Sequence, residues 1–135
     1  MTIMVADVMN AARDMAAKLE VPVRSVIAFS AYSDFSTYVE IDGDDLHWIV
    51  AERAGREVKR RITHNLDELM HWLAVEVTFD MASAWGMKQQ NLFPECEVTG
   101  TDRLAKQVEL LRRLDGSWAA QAQVEHNDAH SHAFG

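Results

Sequence analysis

Three histidines, His126, His130 and His132, are the first residues whose spacing could do chemistry. His126 and His130 stand four apart, so on a helix both imidazoles would face one metal ion. A zinc hydrolase of that kind needs a Glu directly after the first His to activate water, and that position is Asn127. The histidines therefore read as solvated, and no metal is assigned. Cys96 is the single cysteine and lies between Glu95 and Glu97. Flanking carboxylates disfavour the thiolate that a nucleophile needs. Asp42, Asp44 and Asp45 cluster around Gly43 like calcium ligands, but the twelve-residue loop closing on a Glu is missing, so a turn is the better reading. The chain has no Gly-rich phosphate loop, no G-x-S-x-G elbow and no Cys-x-x-Cys pair. Neither catalysis nor a cofactor is expected.

What remains is charge. The 135 residues carry a formal net charge of −8, with 48% hydrophobic and 25% charged residues. That composition belongs to a globular chain long enough to bury a core without staples. The negative balance disfavours nucleic acid and anionic membranes and favours a basic partner. It is unevenly spread. Residues 1–45 hold eight acids and three bases, whereas residues 46–63 hold five bases (Arg53, Arg56, Lys59, Arg60, Arg61) and two acids. The basic run reads as an exposed strand edge protected by charge. No apolar stretch approaches a membrane span, and the start lacks the pattern of a signal peptide, so a cytoplasmic location is expected.

The elements that position these residues follow from periodicity. Val5, Val8, Met9, Ala12, Met15, Ala16 and Leu19 predict a helix over 3–20, stopped by Pro22. Residues 25–63 predict an antiparallel meander of three strands, or four counting Val26 to Phe29. Strand Thr37–Ile41 turns at Asp42-Gly43-Asp44-Asp45 into Leu46–Arg53, which is apolar on both faces and therefore central. Ala54-Gly55 then leads to Arg56–Thr63. Asn65 and Glu68 start a long helix over about 66–89 that lies on the sheet, apolar on two sides, with Gly86 interrupting its end. After a loop at 90–101, Asp102 caps a helix from Arg103 to Leu114. A last helix from Trp118 to about Glu125 fades into a flexible tail over 126–135. The whole is an α+β fold in a single domain, 1–135.

Arg60 shares a strand face with Val58 and Ile62, and Asp80 falls within the apolar stripe of the long helix, with Glu76 at its edge. A desolvated charge needs a partner, so Arg60 is expected to pair with Asp80 or Glu76.

The run from Trp48 to Gln89 includes Trp48-Ile49-Val50-Ala51-Glu52-Arg53, Leu66-Asp67-Glu68-Leu69 with Trp72, and Val77-Thr78-Phe79-Asp80-Met81-Ala82. With Lys106 to Leu111 it resembles the immunity protein 63 family of bacterial polymorphic-toxin systems. The resemblance implies a cytoplasmic protein, not an enzyme, that neutralises the C-terminal domain of a cognate toxin delivered between cells, as in contact-dependent growth inhibition. An acidic inhibitor suits a basic, nuclease-like toxin. The candidate toxin-binding residues are Asp34, Glu40, Asp42, Asp44 and Asp45, with Tyr32, Phe35 and Tyr38 as aromatic anchors. The protein would act as a monomer, or as a homodimer through the doubly apolar helix. The alternative is a small enzyme or ligand-binding domain, with Trp48, Trp72, His47 and His71 lining a pocket between sheet and helix.

Overall fold

The computed structural model describes residues 3–30, 36–52 and 56–134, with side chains through residue 127. Among these residues lie four α-helices and one three-stranded antiparallel sheet, an α+β architecture in the expected element order. The chain divides into two compact units, 1–74 and 75–135.

In the first unit, α1 (Val5–Leu19) buries Val8, Ala12, Met15, Ala16 and Leu19, the inner part of the predicted stripe. The Asp7 carboxylate accepts a hydrogen bond from the Met4 N–H at 2.9 Å and sits in the first turn, where the helix dipole favours negative charge. The helix ends with Glu20 in the left-handed region, φ 59°, and the Val21 N–H returns to the Ala16 carbonyl at 3.0 Å before Pro22 forbids another turn. Val26 to Phe29 is not a strand. A 3₁₀ turn at Val23–Ser25 precedes it, and among the described residues a backbone bond ties it to the sheet from the Val39 N–H to the Ala28 carbonyl.

The strands are β1 (Ser36–Asp42), β2 (Asp45–Ala51) and β3 (Glu57–Thr63), in the order β1-β2-β3. The central position expected of β2 follows from its residues: Leu46, Trp48, Ile49 and Ala51 are buried, which covers both of its faces. Trp48 stands opposite Val39 and Arg61, and Ile49 stands opposite Tyr38 and Arg60. A bulge at Val50/Ala51 shifts the register before Glu57. The predicted Ala54-Gly55 connection lies outside the described residues.

Helix α2 (Leu66–Leu92) begins where Asn65 predicts. The Asn65 Oδ1 accepts from the backbone N–H of Asp67 at 2.8 Å and of Glu68 at 3.3 Å. Its first turns, within the first unit, bury Leu69, Met70, Leu73 and Ala74.

In the second unit, α2 continues through Gly86 to Leu92, so the glycine does not interrupt it. Gly86 is buried, and a Cβ there would lie 2.7 Å from the Arg103 Nε. The missing side chain makes room for the arginine. Gln90 ties the following loop back, its Oε1 accepting from the Val98 N–H at 2.9 Å. Helix α3 (Gly100–Leu114) starts earlier than predicted, because Thr99 rather than Asp102 is the cap. Thr99 Oγ1 accepts from the Asp102 N–H at 3.1 Å, and Asp102 Oδ2 accepts from the Thr99 N–H at 2.9 Å. Thr99→Ala is expected to cost about 1 kcal/mol of stability, read by urea unfolding. Helix α4 (Gly116–Phe134) extends well past Glu125, and its first turn is capped by Asp115, whose Oδ1 accepts from the Ser117 N–H at 2.8 Å. From Ser117 to Phe134 the sequence holds no Gly or Pro, so polarity alone does not end the helix.

Burial pushes the Asp80 carboxyl above its ordinary range. The folded state therefore holds a proton more readily than the unfolded chain. This charge opposes folding at neutral pH, and the penalty fades as pH falls through the folded pKa toward the unfolded value. Asp80 remains largely solvent-facing, so Asp80→Asn is expected to add less than about 1 kcal/mol at neutral pH. The gain should vanish once the pH lies below the ordinary aspartate pKa of about 3.9, where both states are protonated, and denaturant titrations at neutral and acid pH would read it.

Candidate partner-binding surface

The β1–β2 connection is the two-residue turn Gly43-Asp44, closed by the pairing of Asp42 with Asp45. Gly43 has φ +60°, while Asp44 keeps a negative φ. A positive φ at the first central residue alone is the signature of a type II′ turn, whose twist matches that of the flanking strands. This tight turn presents three carboxylates at one end of the sheet. Asp45 is engaged by His64, whose Nδ1 lies 3.1 Å from its Oδ1. Asp42 and Asp44 are exposed and have no ion-pair partner among the described residues. Gly43→Ala is expected to cost about 1–2 kcal/mol through the left-handed backbone alone, since no atom crowds the site. Chemical denaturation checks it.

Beside the turn runs a shallow concavity of about 400 Å³ lined by Val5, Phe29, Val39, Glu40, Ile41 and Asp42. Val5 is 53% exposed and Phe29 41% exposed, so large apolar side chains meet solvent against a carboxylate edge. Phe29 and Val5 were not among the sequence candidates. Sequence pattern puts Val5 on the α1 stripe and Phe29 at the end of a short apolar run, and only the fold places them beside the hairpin. Tyr38 is half-buried and pairs with Ile49. The other candidates, Tyr32, Asp34 and Phe35, lie outside the described residues.

Arg60 finds partners within the sheet. Its Nε donates to both Glu57 oxygens at 3.0 and 3.1 Å, and a terminal nitrogen lies 3.6 Å from Glu40 Oε2. The hydrogen bond from Arg60 holds the Glu57 carboxyl below its usual range, and the same bond raises Arg60. Arg60 also reaches His47 Nδ1 at 2.6 Å. A guanidinium only donates, so that nitrogen accepts and the ring proton sits on Nε2. The His47 Nε2 is buried with no hydrogen-bond partner among the described residues.

The sequence model of the immunity protein 63 family matches residues 42–128, from the hairpin tip through most of α4. The chain belongs to that family. It is an immunity protein directed against a toxin, and the family implies that it binds a cognate toxin. No curated protein and no solved structure matches the chain.

Further concavities of the immunity protein lie in each unit. One of about 610 Å³ is lined by Arg24, Ser25, Ile27, Ala28 and Ser30. Another, about 550 Å³ and within the helical unit, has Phe79, Met87, Arg103, Gln107 and His126 in its wall. Trp48, Trp72, His47 and His71 line neither of them. Among the described residues no group of three or more His, Cys, Asp or Glu stands together to hold a metal ion, and no described helix is long and apolar enough to cross a membrane.

Proposed function

We propose that this immunity protein neutralises a toxin of the contact-dependent growth inhibition type by docking the acidic β1–β2 hairpin against a basic, nuclease-like surface of the toxin's C-terminal domain. The observation that carries the reading is the hairpin tip itself. Two unpaired carboxylates, Asp42 and Asp44, stand on a rigid turn beside the exposed side chains of Phe29 and Val5. Apolar anchors ringed by charge are the usual anatomy of a protein-binding hot spot. Carboxylates at the rim accelerate encounter with a basic partner. Glu40 and Asp45 extend the same negative edge, and Asp34, Tyr32, Phe35 and Tyr38 complete the proposed contact set. The encounter takes place in the cytoplasm of the protected cell.

The test is calorimetric titration of the protein with the C-terminal domain of the exported protein encoded beside it, together with that domain's nuclease assay. The expected result is stoichiometric binding that abolishes activity and weakens steeply as salt rises. Binding indifferent to salt, or a complex in which the toxin stays active, would refute the reading.

A further inference from the structure

We propose that the exposed edge of β3 accepts an extended acidic peptide segment of a protein partner as a fourth strand of the sheet. The site is separate from the hairpin and asks for the opposite charge.

Among the described residues the sheet ends at β3, and every residue from Glu57 to Ile62 is exposed. An uncovered strand edge carries unpaired backbone N–H and C=O groups, which template another strand. Alternation along β3 specifies what that strand must look like. On one face Lys59 and Arg61 flank Trp48, with the Lys59 Nζ 5.8 Å and the Arg61 guanidinium 5.0 Å from its ring centroid. Arg61 is also 5.6 Å from the Trp72 ring. Aromatic faces hold both cations in place, and neither has a carboxylate partner among the described residues. On the other face Ile62 is 52% exposed and Arg60 is neutralised by Glu57, while Val58, left without a register partner by the bulge between Glu57 and Lys59, is 48% exposed. A pairing strand therefore meets cations on one side and apolar surface on the other. Its matching pattern is carboxylate and β-branched residue in strict alternation.

A second copy of this chain fits badly. Antiparallel self-pairing centred on Lys59, Arg60 or Arg61 sets that cation against its own copy, which is destabilising. The charges that block self-association thus select an acidic strand. Nucleic acid would also meet Lys59 and Arg61, but it offers no backbone ladder and no apolar face, and the net charge of −8 repels it.

The test uses the full chain and three labelled peptides of equal length: alternating Glu and Val, the same composition in Glu and Val blocks, and alternating Lys and Val. Fluorescence anisotropy should show the alternating Glu peptide binding at least about tenfold more tightly than either control. The Lys59→Glu/Arg61→Glu variant should lose that preference, while Arg112→Glu, on α3, should keep it. Because the double variant could disturb Trp48, hydrogen exchange on the unsubstituted protein provides an independent readout: the peptide should slow exchange of the amides of residues 57–62. Equal binding of the block peptide, equal competition by single-stranded RNA, or unchanged exchange along β3 would each overturn the proposal.

Discussion

Reversing both tip charges, Asp42→Lys with Asp44→Lys, is expected to weaken toxin binding by about a hundredfold. Facing a basic surface, each substitution replaces an attraction by a like-charge repulsion, and such a juxtaposition costs more than the roughly 1.4 kcal/mol that corresponds to a factor of ten. Much of the loss should appear in the association rate and should shrink in high salt, because exposed charges are screened within about 8 Å at physiological ionic strength. Folding should be unaffected. Both side chains are exposed, neither has an ion-pair partner among the described residues, and Gly43, which makes the turn, is untouched. Surface changes of this kind stay within about 0.5 kcal/mol. Phe29→Ala should act differently, raising the dissociation rate with little salt dependence, as expected of a buried apolar anchor. Surface plasmon resonance at two salt concentrations separates the effects. A charge-reversed variant that binds as tightly as the parent would remove the hairpin from the interface.

Gln107→Ala is expected to destabilise the helical unit by about 2 kcal/mol. Gln107 lies on α3 with little exposure, and its Nε2 donates to the Val75 carbonyl of α2 at 3.0 Å and to Thr78 Oγ1 at 3.3 Å. Thr78 is fully buried, and its hydroxyl donates to the same Val75 carbonyl at 3.2 Å. The three groups form a small polar knot between two helices whose buried apolar residues include Val77, Ala82, Val108 and Leu111. Truncating the glutamine removes two hydrogen bonds, leaves the hydroxyl short of a donor and opens a void. Replacing both partners with apolar groups of similar shape is a different experiment, because nothing polar is then left unpaired. The Thr78→Val/Gln107→Leu pair should recover most of the loss. Urea unfolding followed by far-ultraviolet circular dichroism reads both. A double variant as unstable as Gln107→Ala would show that the knot contributes through shape and not through its hydrogen bonds.

The basic strand and the acidic hairpin give this immunity protein two surfaces of opposite sign on one small sheet. Arg60 belongs to neither. Glu57 and Glu40 neutralise it, leaving Lys59 and Arg61 as the unpaired cations of the edge. Among the described residues, Arg60 therefore does not join Lys59 and Arg61 in one patch. Pleating sends alternate residues to opposite faces, and only one face keeps its positive potential.

Local rules were enough to read several elements from the residues. The Asn65 cap, the Asp42–Asp45 turn, the α1 stripe ending before Pro22 and the central place of β2 all depend on neighbours within a few positions or on period-two alternation. The family resemblance was likewise legible, because it rests on residue runs within 48–89 and 106–111 that local sequence displays, inside the matched residues 42–128. Tertiary structure decided the rest. Val26 to Phe29 has strand composition, yet among the described residues its backbone bond to β1 is the single one from Val39 to Ala28, since strand formation requires an aligned partner and not merely apolar residues. Gln107 is a polar residue that burial reaches only because α2 supplies Val75 and Thr78 as partners, 32 and 29 positions away in sequence. Lys59 and Arg61 gained their aromatic platforms from the cross-strand register, and Phe29 reached the hairpin through chain folding. Spacing along the chain fixes which atoms are neighbours within an element. Which elements become neighbours is set by burial of their combined surfaces, and no window of sequence contains that information.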